Sequence, residues 1–226
     1  MKTAVIVFAK VPAPGLVKTR LTPPLDKDEA ADLYAAFLQD ALAQYARLEA
    51  DVRLYLASSG SDLKKYIIPE GVSLHEQIGG DLGARMARAF VETFAAGYER
   101  VVILGTDHPT LPSAFIEFAF ESLLSGRAVV IGPADDGGYY LLGMNDLIPE
   151  LFLKMEYSHG EVFQQTLERI PSKGVDVTIL PVWYDIDTPD DVLRLASELT
   201  SDSASIRHTR RVLLHLAERH PWLQGV

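Results

Sequence analysis

Short β-branched runs alternate along the chain with longer segments whose apolar residues recur at helical spacing. Thr3 to Ala9, Val52 to Ala57, Val72 to His75, Arg100 to Gly105, Arg127 to Gly132 and Val175 to Tyr184 read as strands. The apolar run Tyr139 to Met144 adds a strand crossing behind a site. Lys27 to Leu48 carries Ala30, Leu33, Tyr34, Phe37, Leu38, Ala41, Leu42 and Tyr45 on one helical face, with acids in its first turn. Leu82 to Tyr98, Ser113 to Ser125, Ile148 to Lys154, Glu161 to Ile170 and Asp190 to Leu199 also read as helices, and Leu63 to Tyr66 as a short helix or turn. Strands separated by helices predict an α/β fold, a mostly parallel central sheet with helices on both faces.

Ligands of such sheets bind beyond the carboxyl ends of the strands. The chemically suggestive residues follow predicted strand ends: Lys10 to Arg20, Gln77 to Arg85, Thr106 to Pro109, Pro133 to Gly138 and Asp185 to Asp191. The polar stretch Thr200 to Ser205 reads as a short hinge before an amphipathic segment, Ile206 to His220. The expected organisation is therefore one domain over 1–199 and a helical appendage over 200–226, packed on that domain or on the second subunit of a homodimer.

Composition narrows the chemistry. A formal net charge of −10 over 226 residues argues against a general nucleic-acid or anionic-membrane binder. With no cysteine, thiol catalysis and thiolate metal sites are excluded. No apolar run approaches the roughly 20 residues needed to span a bilayer, and the cytoplasm is the expected compartment.

Within this acidic chain, Lys10, Lys18 and Arg20 supply three cations in one loop that Pro12, Pro14 and Gly15 shape into a rigid turn. Such a loop suits a phosphate, although a solvated basic loop has the same composition. Asp107 ends an apolar strand and suits a hard divalent cation, or a cap for the helix that follows. Around Tyr184 to Asp191, Thr188, Pro189 and the acids behind them form a helix start, which leaves Asp187 for a second metal carboxylate. The glycines of Gly132 to Gly143 and Gln77 to Met86 permit close backbone approach to a ligand. His108 and His159 lie in candidate site loops, whereas His208, His215 and His220 lack the spacing of a helical zinc pair and His75 reads as packing.

FAKVPAPGLVKTRL, QIGGDLGARMARAF, VVILGTDHPTLP, GPADDGGYYLLGM and DIDTPDDVLRL occur in that order, and together they resemble the bacterial selenodomain-associated glycosyltransferases. These are nucleotide-diphospho-sugar transferases of the glycosyltransferase A-type fold. More distantly, the chain is similar to the molybdenum-cofactor and phospholactate guanylyltransferases.

The resemblance implies a metal-dependent transferase, with Mg²⁺ or Mn²⁺ held by Asp107 and Asp187. Ala9, Lys10, Gly15, Lys18, Arg20, Gln77, Gly83, Gly105 and Asp107 would bind the nucleotide, and Gly137, Gly138, Tyr139 and His159 would border the sugar or a small-molecule acceptor. Asp107 and Lys18 would act in catalysis, and Asp136 is the carboxylate best placed by sequence to be a general base. Glycosyl transfer from a nucleotide sugar, nucleotidyl transfer from a nucleoside triphosphate and a non-catalytic nucleotide-binding module all remain compatible with these residues. His108 stands where many relatives have Cys, and Tyr157-Ser158-His159 where they often have Trp-Ser-Thr. Both departures lie where acceptor choice would be made.

Overall fold

A computed structural model describes residues 1–57, 68–157, 159–199 and 206–223. Seven strands form one sheet: β1 (Thr3–Lys10), β2 (Asp51–Ala57), β3 (Ser73–Glu76), β4 (Arg100–Leu104), β5 (Ala128–Pro133), β6 (Tyr139–Met144) and β7 (Asp176–Ile179). Their spatial order is β3-β2-β1-β4-β6-β5-β7. All neighbours are parallel except β6, which runs antiparallel to both β4 and β5. The α/β class and the mostly parallel sheet are as expected. The antiparallel insertion brings Tyr139, the first residue of β6, beside Pro133 near the end of β5, so the start of this strand joins the carboxyl edge of its neighbours.

Six helices of eight residues or more accompany the sheet among the described residues: α1 (Lys27–Tyr45), α2 (Leu82–Ala95), α3 (Ser113–Ser122), α4 (Val162–Arg169), α5 (Pro189–Glu198) and α6 (Arg207–Arg219). Strand alternation divides the core between the two faces. Val5, Val7 and Ala9 of β1 pack with Leu38 and Leu42 of α1 and Ile116 and Ala119 of α3. Ala4 and Ile6, on the opposite face, pack with Met86, Ala89 and Phe90 of α2. A third apolar cluster joins the other side of α1 (Leu33, Phe37) to Val192 and Leu195 of α5 and Leu213 and Leu216 of α6.

Local chemistry sets the helix starts. Asp26 and Glu29 form a reciprocal capping box at α1, and Thr188 and Asp191 form another at α5. Two expectations change. The helix expected over Ile148 to Lys154 is only a 3-10 turn, Pro149–Leu151, and Lys154 takes a left-handed backbone (φ 51°) that cannot continue a helix. The late strand is four residues long rather than ten, because Pro181 lacks the N–H that ladder pairing needs; pairing resumes only as a single bridge between Trp183 and Ala134. The turn expected at Leu63 to Tyr66 and the hinge at Thr200 to Ser205 lie outside the described residues. Among those residues, no helix is long and apolar enough to cross a membrane.

Candidate functional site

The chain passes from β1 to β2 and β3 on one side of the sheet and then returns to place β4 on the other side of β1. Loops leaving the two strands therefore diverge, and a crevice opens between them. A cavity of about 680 Å³ occupies this position; Lys10, Lys18 and Arg20 line it from the loop after β1, and Gly105, Asp107 and His108 from the loop after β4. A smaller cavity of about 280 Å³ continues from it past Phe8, Ala9 and Gln77.

Lys18 is at the centre. Its Nζ lies 2.5 Å from Asp107 Oδ1 and 2.8 Å from Asp187 Oδ1, with the side chain 4% exposed. The two carboxylates are about 40% exposed, and Arg20 reaches Asp187 from the surface at 3.6 Å. A backbone hydrogen bond from Ile186 N–H to the Asp107 carbonyl (2.8 Å) holds the two acidic segments side by side. Asp107 does not cap a helix, since the residue before α3 is Pro112. Burial alone would lower the Lys18 pKa, but the adjoining Asp107 and Asp187 outweigh it and raise the value well above that of a free lysine. Lys18 also has a left-handed backbone, φ 47° and ψ 40°, a conformation that costs a non-glycine residue about 1–2 kcal/mol. The ion pairs fix its side chain despite that strain.

Tyr34 of α1 supports the loop from below. Its hydroxyl accepts a hydrogen bond from Lys10 N–H (2.9 Å) and another from the Thr106 hydroxyl (3.2 Å), linking the ends of β1 and β4. Burial, reinforced by the Asp107 charge, pushes the Tyr34 phenol up to about 12. Gln77 uses its amide to donate to the carbonyls of Ala9 (3.0 Å) and Tyr55 (2.9 Å), so it clamps β1 to β2 while lining the smaller cavity.

The far side of the main cavity is different. Leu82, Met86, Tyr139, Tyr157 and Val162 make an apolar and aromatic wall, with His159, Gly160, Asp136 and Gly138 at its edge. Asp136 Oδ1 accepts from Gly138 N–H at 2.8 Å, which closes the turn that starts β6. At the base of the cavity, buried His108 lies with Nδ1 3.4 Å from Asp185 Oδ1 and packs its ring against Tyr140. Burial acts to raise the Asp185 pKa, and its contact with His108 reverses this to a net lowering.

Most residues singled out from the sequence thus meet at the two connected cavities. Gly15, Gly83 and Gly137 do not line either one. Gly15 (φ 76°) turns the loop against the Lys27 side chain. Gly83 is a packing position, since an added Cβ would come 2.9 Å from the Phe152 carbonyl and 3.0 Å from the Tyr157 ring. At Gly137 (φ 87°) an added Cβ would overlap the Gly160 carbonyl at 2.1 Å, so that glycine joins two loops. Tyr34, Leu82 and Met86 carry no site signal in the sequence, because they occur in ordinary amphipathic patterns, whereas Asp185 and Tyr157 fall in segments that the sequence already marks.

Comparison with known proteins agrees with this architecture. The family model described as “Uncharacterized protein conserved in bacteria (DUF2064)” matches residues 39–159. No curated protein matches the chain. A solved “putative nucleotide-diphospho-sugar transferase” from Desulfovibrio desulfuricans G20 is 34% identical, covering 99% of this chain and 98% of its own, with a TM-score of 0.89. A cytidylyltransferase from Leptospira borgpetersenii serovar Hardjo-bovis (strain JB197) is 14% identical, covers 100% of this chain and 98% of its own, and has a TM-score of 0.52. Rv0371c from Mycobacterium tuberculosis H37Rv is 18% identical, with 86% and 97% covered and a TM-score of 0.50. The last two are likenesses of fold.

Proposed function

The chain belongs to the bacterial DUF2064 family, and we propose that it is a divalent-metal-dependent transferase whose donor is a nucleotide-diphospho-sugar. The observation that carries this reading is the Lys18–Asp107–Asp187 cluster in the crevice between β1 and β4, with Arg20 beside it. The donor set fits a hard cation: two carboxylates from two chain segments face a cavity, and an ammonium group already bridges them. Among the described residues, no group of three or more Asp, Glu or His side chains could hold a metal by itself. Two carboxylates completed by donor phosphates and water are the arrangement expected for Mg²⁺ or Mn²⁺ bound with a nucleotide. When bound, the ion would neutralise charge that develops on the leaving diphosphate.

The protein's own groups have separate tasks in this reading. Lys10, Lys18 and Arg20 attract and orient the diphosphate, and Lys18 and Arg20 offset the negative charge that grows as it leaves. Ala9, Gln77 and Gly105 border the nucleotide. The Leu82–Met86–Tyr139–Tyr157 wall excludes water and receives the sugar or acceptor, with Gly138 and His159 at its rim. Asp136 takes the proton from the attacking hydroxyl. The His108–Asp185 contact fixes the cavity floor. The transferase unit spans 1–199, with α6 as an appendage.

A thermal-shift panel of nucleotide sugars and nucleoside triphosphates, each with and without Mg²⁺ or Mn²⁺, tests the assignment, because native-state ligands raise the melting temperature. Metal-dependent shifts with nucleotide sugars are the expected result. Shifts confined to triphosphates, accompanied by pyrophosphate release, would instead select nucleotidyl transfer. If no nucleotide shifted the transition with either ion, the transferase reading would be lost.

A further inference from the structure

Lys18 occupies the position between the two carboxylates that the proposed reading gives to a metal ion. From this geometry we infer that the Lys18 ammonium is a built-in occupant of the cation seat, displaced only when metal and diphosphate arrive together. The inference rests on that metal-dependent reading and adds an order to its binding events.

Charge counting gives the reason. Asp107 and Asp187 contribute two negative charges, and Lys18 and Arg20, both within ion-pair distance, contribute two positive charges. A lone divalent ion entering this neutral cluster would meet a buried ammonium only 2.5 and 2.8 Å from the carboxylate oxygens it needs. Like charges at such separations repel strongly where water is scarce, and removing Lys18 from its two partners would leave a buried cation unpaired. A diphosphate changes both terms. Its negative charge balances the incoming ion, and its oxygens offer the displaced ammonium a new partner of the kind lysine binds as a point charge.

The surroundings permit such an exchange. Lys18 lines both the main cavity and the smaller one beside Gln77, so its side chain borders space on two sides. Its Nζ lies 5.8 Å from the Phe37 ring centroid, an aromatic face that tolerates a cation during the move. In the free protein the two ion pairs hold the Lys18 side chain against the acids, although its backbone is left-handed. The same ammonium then has two successive tasks: closing the seat in the free protein and contacting phosphate in the loaded one.

Mn²⁺ titration followed by the electron paramagnetic resonance signal of the free ion reads this without any turnover. Wild-type protein alone should take up little Mn²⁺, whereas wild type with UDP, GDP or CDP should remove the ion from solution. Lys18→Met, which keeps an unbranched side chain one atom shorter and deletes the charge, should bind Mn²⁺ without nucleotide at least about tenfold more tightly than wild type. Equal uptake by wild type and Lys18→Met, both without nucleotide, would overturn the exchange while leaving the metal site intact. No uptake in any arm, including Lys18→Met, would remove the metal site itself and the reading beneath it. Lys18→Gln serves if the methionine variant does not fold. A measurement on wild type alone guards against failure of both: melting temperatures in Mn²⁺, in UDP, GDP or CDP, and in the ion with each nucleotide. A combined shift larger than the sum supports the exchange, and a purely additive one overturns it.

Discussion

Lys18 and Glu29 are two buried charges with inverse surroundings. Lys18 is a single cation between two acids that are each about 40% exposed toward a cavity. Glu29, 7% exposed, is a single acid between two basic side chains, with Arg219 Nη1 at 2.8 Å and His220 Nε2 at 2.9 Å from Oε1. Its Oε2 accepts from Asp26 N–H at 2.9 Å. Every oxygen of Glu29 is engaged, and the result is a seam: it ties the end of α6 to the start of α1, assisted by Asp40, which accepts from the N–H groups of His208 and Thr209. Around Lys18 the shared groups are carboxylates with surface left for another ligand. A saturated cluster holds elements together, whereas one with spare acceptors facing a cavity can exchange partners.

Removing one acid should therefore have opposite effects at the two clusters. Asp107→Asn is expected to reduce metal-dependent turnover on the order of a thousandfold, the scale of losing a principal charge-stabilising group. Its melting temperature should stay close to wild type, because Lys18 retains Asp187. A variant that unfolds while wild-type nucleotide binding proves metal-independent would erase the contrast. Asp136→Asn probes the opposite wall of the same cavity. The amide oxygen can still accept from Gly138 N–H, so the turn should survive, yet kcat should fall about a hundredfold if a base is lost. Nucleotide-induced thermal shifts should be unchanged; near-normal turnover at saturating substrate would move the base elsewhere.

Glu29→Gln should act on stability. Loss of charge-assisted hydrogen bonds at this burial is worth about 2 kcal/mol, or roughly 4–8 °C in melting temperature for a chain of this size, with activity retained. Burial acts to raise the Glu29 pKa, but the Asp26 backbone and His220 outweigh it and hold the carboxyl below its ordinary 4.5. The folded form binds its proton less readily than the unfolded form, so this stability is fully present above 4.5 and is lost as pH falls through the folded pKa. The gap between wild type and Glu29→Gln should accordingly narrow as the pH falls below 4.5. A gap that stayed constant from pH 7 to pH 3 would show that the ionised carboxylate is not what holds the seam.

The sequence made one of these clusters far more legible than the other. β-branched runs and helical spacing announce the sheet and its helices, and residues directly after apolar strands announce a crevice. Lys10, Lys18, Arg20, Asp107 and Asp187 were legible on that basis. Their pairing was not, because Lys18 and Asp187 are 169 residues apart and periodicity carries no information about which loops meet. The direction of β6 was equally hidden, since a six-residue apolar run reads the same either way. In the sequence Glu29 is an acid in the first turn of α1, which favours the helix wherever its side chain points. Only the packing of α6 supplies Arg219 and His220 and makes it a buried ion-pair centre.

The smallest effects are the most discriminating, because two exposed arginines occupy matching places. Arg219 is 53% exposed beside Glu29, and Arg20 is 73% exposed beside Asp187. Solvent reaches the guanidinium in each pair, and that screening holds each arginine's contribution to about 1 kcal/mol or less. Arg219→Ala and Arg20→Ala should therefore leave stability nearly unchanged, within a few degrees in a melt. Arg219→Ala should also leave kinetics unchanged, since His220 and the Asp26 backbone still hold Glu29. Arg20→Ala should raise KM for the donor several-fold, with a salt dependence that wild type shows and the variant loses in part, because Arg20 faces the cavity proposed to receive the diphosphate. If both variants were kinetically silent, Arg20 would belong with Arg219 as surface charge, and recognition of the diphosphate would rest on Lys10 and Lys18.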